Sequence, residues 1–373
     1  MVALEQAVAA PFCSRQLADL GADVIKVERP DGGDFARSYD RAVNGLSAYF
    51  VWLNRGKRSI VLDLKAPRDG EVLRKLLAGA DVFLHNLAPG AVERLGLGYE
   101  ELAKADRRII WCGISGYGPD GPYRDRKAYD LLVQAESGVV SLTGSPEAAA
   151  KVGVSIADIA AGLYGYSSIL AALVARQRTG AGERIDISML ECLTEWMMPP
   201  LYVWQGTGEE PRRCGVRHNM IVPYGAYACE DGPVNFAIQN DREWRRFCEG
   251  VLRMPGLAEE ERFRTNAARL RNRGELEGMV EEEFGKCTRA EVLGRLEEAG
   301  IASGVVNDVA GVAEHAQLRA RGRWMTVDTS AGPIPALAPP HNLRHAPARM
   351  GAVPALGEHT REILAEIGMG EEE

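Results

Sequence analysis

Strand-like runs recurring through the first third of the chain constrain the fold more than any other feature. They read VALE (2–5), ADVIKVE (22–28), KRSIVLDL (57–64), DVFLHNL (81–87) and RRIIWCGIS (107–115). Helix-like segments separate most of them: Pro11–Leu20, the amphipathic Lys65–Ala80, and the short pair Ala91–Leu97 and Tyr99–Ala103. Strands alternating with helical spacers mean βαβ units and a largely parallel sheet. In such sheets ligands bind beyond the C-terminal strand ends. Those ends carry Gln6, Arg37, Asn86 and the Gly-rich Ser115–Gly118. A later strand, RIDISM (184–189), runs into another helix. After Pro199-Pro200 the pattern changes. Residues 212–240 read as short antiparallel strands with a turn at Glu230–Gly232. Trp244–Glu298 reads as charged helix, with Val280, Phe284, Val292, Leu293 and Leu296 at helical spacing. Residues 329–356 are rich in Gly, Pro and Ala and read as an extended connector. A helix at His359–Ile367 follows. The expected division is 1–200 with 326–373 as the larger α/β domain, and 201–325 as a smaller α+β domain.

Several function classes fall away. With 373 residues and a net charge of −8, the chain is not built mainly to bind nucleic acid. EQAVAAP (5–11) stands where a dinucleotide-binding fold would place G-x-G-x-x-G, and neither a P-loop nor a G-x-S-x-G elbow is present. The six histidines lack metal-ligand spacing, and the seven cysteines form no C-x-x-C pair. No metal or organic cofactor is expected. Unpaired cysteines fit a reducing cytosol, so a cytoplasmic location is expected. No apolar run is read as approaching the roughly 18 residues of a membrane span, and no signal-peptide pattern is seen. VALE suggests that the chain begins inside a strand, with native residues before Met1.

Val152–Leu173, VGVSIADIAAGLYGYSSILAAL, reads as a strand-like VGVSI breaking into a helix rich in small residues. Asp158 sits at the break among apolar neighbours, where an unpaired charge is costly to bury. Two readings stand. Asp158 caps the helix and complements its dipole, or it is a nucleophilic carboxylate with small residues leaving room for a substrate. Lys127 and Asp130, three apart, read equally as a surface ion pair.

Several blocks then carry a resemblance over nearly the whole length. They are LADLGADVIKVERPDGGDFAR, FVWLNRGKRSIVLDLK, DVFLHNLAPGAVERLGLGYEEL, ISGYGPDGPYRDRKAYD, GVSIADIAAGLYG, RTGAGERIDISMLE and PALGEHTREIL. In this order the chain resembles the family III coenzyme A transferases of the CaiB/BaiF type, which include formyl-CoA:oxalate and carnitine CoA transferases and the related α-methylacyl-CoA racemases. The resemblance implies a Rossmann-like parallel sheet domain that binds CoA, a smaller α+β domain, and an interlocked homodimer. It makes Asp158 the catalytic aspartate. It places Gln6 and Ala7 near the acyl site, and Arg37 near the CoA phosphates. Asn86, with Pro89 and Gly90, Arg94, Lys127, Tyr129 and Asp130 fall on further binding positions, and Met189 on a methionine facing the site.

The implied chemistry suits a carboxylate. Asp158 attacks a thioester to give a mixed anhydride, CoA thiolate then forms an aspartyl thioester, and an acceptor carboxylate reverses the sequence. Two departures narrow the substrates. Tyr129 replaces the racemase histidine, and racemisation needs two acid/base groups; the racemase glutamate also has no clear match in AIQND (237–241). VPYGAY (222–227) stands where the formyl-CoA enzyme has its Gly-rich loop. Arg212, Arg213, Arg217 and His218 read either as a solvated turn or as recognition of a second carboxylate, with Arg217 the natural partner. The expected reaction moves CoA from an acyl-CoA donor, such as succinyl-CoA, to a small dicarboxylate. An acyl-CoA racemase on the same fold and a non-catalytic CoA-binding protein are the alternatives.

Overall fold

The computed structural model describes residues 1–370. β1 (Val2–Leu4), β2 (Val24–Glu28), β3 (Lys57–Val61), β4 (Val82–His85), β5 (Ile110–Ser115) and β6 (Arg184–Ser188) form a six-stranded parallel sheet in the order β3-β2-β1-β4-β5-β6. Val2 pairs with Ile25 on one side and Phe83 on the other. The strand order therefore reverses between β1 and β4, the switch point where doubly wound folds bind ligands.

Period-two alternation splits the strand residues between two helical layers. Ala3, Val24, Leu84, Cys112 and Ile114 pack beneath α1 (Ala9–Asp19) and the long helix Ile156–Thr179. Val2, Ile25, Phe83 and Trp111 pack against Val72, Leu73, Leu76 and Leu77 of the helix Pro67–Ala78. The long helix crosses α1 closely. A Cβ at Gly162 would lie 2.6 Å from the Ala9 carbonyl oxygen. Its 24 residues are apolar and long enough to cross a membrane by length and composition, contrary to the sequence reading. In the fold its small-residue face packs on α1 and the sheet.

VGVSI is not a strand. The Val152 N–H donates to Gln134 Oε1 at 2.9 Å, and Gln134 Nε2 donates to the Val154 carbonyl. A buried side chain thus satisfies backbone groups that the sheet does not, since β6 occupies the place beside β5. The expected connector 329–356 contains part of a hairpin, in which Trp324–Val327 pairs antiparallel with Ile334–Leu337. Val327 and Ile334 are buried with Ala36, Phe50 and Val353. The helix Thr360–Glu366 then returns to β3, burying Ile363 and Leu364.

Two compact units result. The larger comprises 1–139, 152–199 and the segment from Gln317 onward, and the smaller Val140–Lys151 with Pro200–Ala316. The smaller unit thus takes 140–151, which the sequence reading placed in the large domain. Its sheet pairs β7 (Tyr224–Cys229), β8 (Gly232–Ala237) and β9 (Ser303–Val305) antiparallel. The core holds Tyr227, Phe236, Trp244, Phe247, Phe284, Val292 and Leu296. A capping box at Thr288 and Glu291 starts the helix Arg289–Glu298.

Candidate active site

β1 ends at Leu4, and the chain turns at Gln6 and Ala7 before entering α1, at the switch point. Asn86, just past β4, closes the turn from one side. Its Oδ1 accepts the Gln6 N–H at 2.9 Å, and its Nδ2 donates to the Gln6 carbonyl at 2.8 Å. Ala7 adopts φ of 62°, a region L-residues enter at a cost. Its N–H donates to Asp34 Oδ1 at 2.9 Å. The Gln6 side-chain oxygen is buried and lacks a hydrogen-bond partner. Such an unsatisfied group is the kind of feature that points to a ligand. Beside the turn, a cleft of about 440 Å³ is lined by Gln6, Arg29, Pro30, Asp34, Leu62 and Lys65.

Asp158 is the third residue of the long helix and is half-buried. It does not cap the helix. The Ala157 N–H is taken by Asp130, whose Oδ1 accepts it at 2.8 Å. Asp130 Oδ2 meanwhile accepts from Gln134 Nε2 at 2.7 Å. Asp158 itself makes no hydrogen bond or ion pair among the described residues. Burial, and then the charge of Asp130, push its carboxyl from 3.8 up to about 7. The reading of Asp158 as a cap that complements the helix dipole is therefore not supported. The small residues on either side of it do not make room for a substrate either. Ala157, Ala160 and Ala161 have no exposed surface and serve packing beneath the helix.

The turn and the nucleophile candidate meet through one apolar cluster. Ala7, Tyr49 and Ile159 pack around Val8, Phe12 and Leu53. The Tyr49 hydroxyl lies 3.4 Å from Ser155 Oγ, and Tyr49 contacts the Tyr39 and Trp52 rings edge-on. Burial, then the charges of Asp34 and Asp158, push the Tyr39 phenol up. The sequence reading missed Tyr39, Tyr49 and Asp34 as neighbours of the site. The D of the GGDFAR block was the one available signal.

Other expected positions fare differently. Gln6, Ala7 and Asn86 come together, as do Asp130 and Asp158. Tyr129 is exposed, immediately before the helix Asp130–Glu136. Gly116 lets this segment approach β5, since a Cβ there would lie 2.1 Å from Ala128 Cβ. Lys127 and Arg94 are exposed and make no ion pair among the described residues. The expected pairing of Lys127 with Asp130 does not form. Arg37 is not a free cation. It binds Glu28 through Nε at 2.8 Å and Nη2 at 2.7 Å and lies over the Phe50 ring. Burial pushes Glu28 up, but Arg37 and Lys26 outweigh it and hold the carboxyl down at about 2. Met189 is buried in the apolar core at the start of the helix Met189–Trp196. Arg217, in the smaller unit, is committed to Glu277 at 2.7 Å and to Glu281, and lies over Tyr227. A guanidinium bound by two carboxylates is not poised to read a third, so the structure does not support that role.

The chain matches CoA-transferase family III over residues 1–360. It is 35% identical, over 98% of its length and 94% of the relative, to the succinate–glutarate CoA-transferase of Agrobacterium fabrum. It is 37% identical, over 98% of its length and 84% of the relative, to the succinyl-CoA:glutarate CoA-transferase of Mus musculus. The crystal structure of a CaiB/BaiF family protein from Brucella suis shares its fold with a TM-score of 0.85 at 36% identity, covering 98% of this chain and 97% of that one. Family, relatives and fold agree along the whole parallel-sheet unit and the smaller unit alike: this chain is a CoA-transferase and belongs to CoA-transferase family III.

Proposed function

We propose that the enzyme moves CoA from succinyl-CoA to a small dicarboxylic acid of about the length of glutarate, with Asp158 as the nucleophile. The observation that carries the role of Asp158 is its lack of structural employment. Asp130 does the capping, while Asp158 is left unbonded with its carboxyl at about 7, close to neutral working pH. The names of the relatives support the substrate class.

The ionised Asp158 attacks the thioester carbonyl, the C–S bond breaks, and CoA thiolate leaves a mixed anhydride. The thiolate then attacks the aspartyl carbonyl. This expels the donor carboxylate and leaves CoA as a thioester on Asp158. The acceptor carboxylate attacks that thioester, releases the thiolate and forms a second anhydride. The thiolate takes the acceptor's acyl carbonyl, and Asp158 is regenerated. Each step exchanges one carboxylate and one thiolate, so the sequence needs no metal, redox partner or organic cofactor. Gln6, with its unpartnered side-chain oxygen, and the backbone of Ala7 adjoin the reacting carbonyl. Asn86 holds their turn, and the unpaired Lys127 and Arg94 supply positive charge to CoA phosphates. Tyr129 and Asp130 border the nucleophile. The working form is an interlocked homodimer in the cytoplasm.

A panel of CoA donors against mono- and dicarboxylic acids, read by mass spectrometry, tests the substrates. Turnover confined to monocarboxylates would overturn the dicarboxylate assignment. Incubation with donor alone should leave a hydroxylamine-sensitive CoA adduct within VSIADIAAG. A folded, active monomer in analytical ultracentrifugation would sink the interlocked assembly.

A further inference from the structure

We propose that Asp34 is a positioning residue for the transfer reaction, holding Ala7 in its left-handed conformation so that the Gln6 turn faces the helix bearing Asp158. This rests on the reading of Asp158 as nucleophile.

The side chain of Asp34 is only 2% exposed and every part of it is engaged. Oδ1 accepts two backbone N–H groups, from Ala7 and from Ala36, each at 2.9 Å. Oδ2 accepts Lys26 Nζ at 2.7 Å, and Lys26 also lies 3.3 Å from Glu5 Oε1. The Asp34 N–H donates to Glu28 Oε2 at 3.0 Å. One carboxylate thus ties the turn Phe35–Ser38, strand β2 and the residue following Gln6 into a single buried knot. Capping that turn needs only the Ala36 bond. The bond to Ala7 reaches across 27 residues, to the one place on this turn where the backbone is strained.

That strain has a consequence for the site. An alanine released from Asp34 favours right-handed or extended conformations. Either change rotates the peptide joining Gln6 to α1. Asn86 still holds the Gln6 peptide from its other side. The displaced group is therefore Ala7 itself, with its packing on the Val8, Phe12 and Leu53 cluster that Ile159, the residue after Asp158, also covers. Loss of Asp34 should misplace the turn against the nucleophile, while Lys127 and Arg94, the cations assigned to the CoA phosphates, take no part in the bonds Asp34 makes. The chemical step should suffer more than donor binding.

The substitution Ala7→Gly separates positioning from mere stability. Glycine takes positive φ at no steric cost, so it should hold the turn without help. The predicted pattern is that Asp34→Ala slows kcat and single-turnover CoA loading by about five- to thirtyfold, the population shift expected from one left-handed L-residue. The donor KM should change by less than about threefold. The loading rate of Ala7→Gly alone is the reference against which the double variant is read. Asp34→Ala/Ala7→Gly should recover most of the loss. A purely structural Asp34 would give equal damage with and without Ala7→Gly, and that result overturns the proposal. So does an Asp34→Ala enzyme with unchanged kcat. If Asp34→Ala does not fold, Asp34→Leu/Lys26→Met, which removes the acceptor together with the buried cation it pairs, is read in the same way with and without Ala7→Gly. The adduct is located by peptide mapping in the parent enzyme. Its absence from Asp158 there refutes the nucleophile, whereas Asp34 is judged separately by the kcat ratio among variants.

Discussion

Replacing Asp158 with asparagine removes a charge that the folded state carries at a cost. The carboxyl is moved from 3.8 to about 7 by burial and by Asp130. A folded pKa above the unfolded one means that the folded chain binds the proton more tightly. The stability this provides is complete below about pH 3.8 and is lost as pH rises through about 7. The full gap corresponds to roughly 4 kcal/mol. Asp158 is only half-buried, and solvent screening should leave about 1–2 kcal/mol of it. Asparagine has no such titration. Thermal unfolding of Asp158→Asn should therefore match or trail the parent near pH 4 and exceed it by about 2–4 °C at pH 8. Turnover should vanish, because a carboxamide is a poor nucleophile. A capping role predicts the reverse on both counts: asparagine caps about as well as aspartate, so the difference in melting temperature would be flat with pH and activity would survive. Substantial turnover by Asp158→Asn, with deamidation excluded by mass spectrometry, refutes the assignment.

Other variants probe the surroundings. Asp130→Asn can keep an acceptor for the Ala157 N–H but loses the charge facing Asp158, so the rising limb of kcat/KM against pH should move to lower pH; an unmoved limb would show that Asp130 acts only as a cap. Arg37→Ala leaves Glu28 buried without its bidentate partner and should cost about 3 kcal/mol in denaturant titration. A selective rise in the CoA donor KM with intact stability would instead show that Arg37 is free to bind phosphate. Arg217→Ala should destabilise the smaller unit by about 1–3 kcal/mol, since Glu277 keeps only the longer ion pair with Arg273 at 3.7 Å, and leave the preference between di- and monocarboxylates unchanged. A selective loss of dicarboxylate turnover would restore Arg217 as a substrate reader.

The parallel sheet was legible because its strands are short β-branched runs buried on both faces, with turn residues between them. The same local signal misled at VGVSI. Alternating valines look like a strand, yet strand formation needs a neighbouring edge, and β6 arrives later in the chain to take it. Gln134, 18 residues upstream of Val152, supplies the missing hydrogen bonds instead. Nothing in a glutamine's local context announces that role. The hairpin over residues 324–337 was hidden for a related reason. A Gly/Pro-rich tail has weak strand propensity, and here Val327 and Ile334 gain their stability from the distant Phe50 and Val353.

The site divides along the same line. Asp158, Asn86 and Gln6 could be picked out, since each sits at a strand end or helix start where a polar side chain has few uses. Whether a cation is available could not be read, because availability depends on who else is nearby. Arg37 and Lys127 look alike as letters. Glu28 lies nine residues before Arg37, and folding brings the pair together with an aromatic ring over the guanidinium. Lys127 meets no carboxylate at all among the described residues. Arg217 finds Glu277 across 60 residues. The nucleophile's proton affinity is of the same kind. It depends on burial and on Asp130, 28 positions earlier, whose cap on Ala157 brings a second negative charge towards Asp158. One carboxylate therefore both caps the start of the long helix and adds to the burial that raises the Asp158 carboxyl to about 7. The proton affinity of Asp158 is set first by its burial and second by Asp130, and the Asp130→Asn pH profile measures the second contribution.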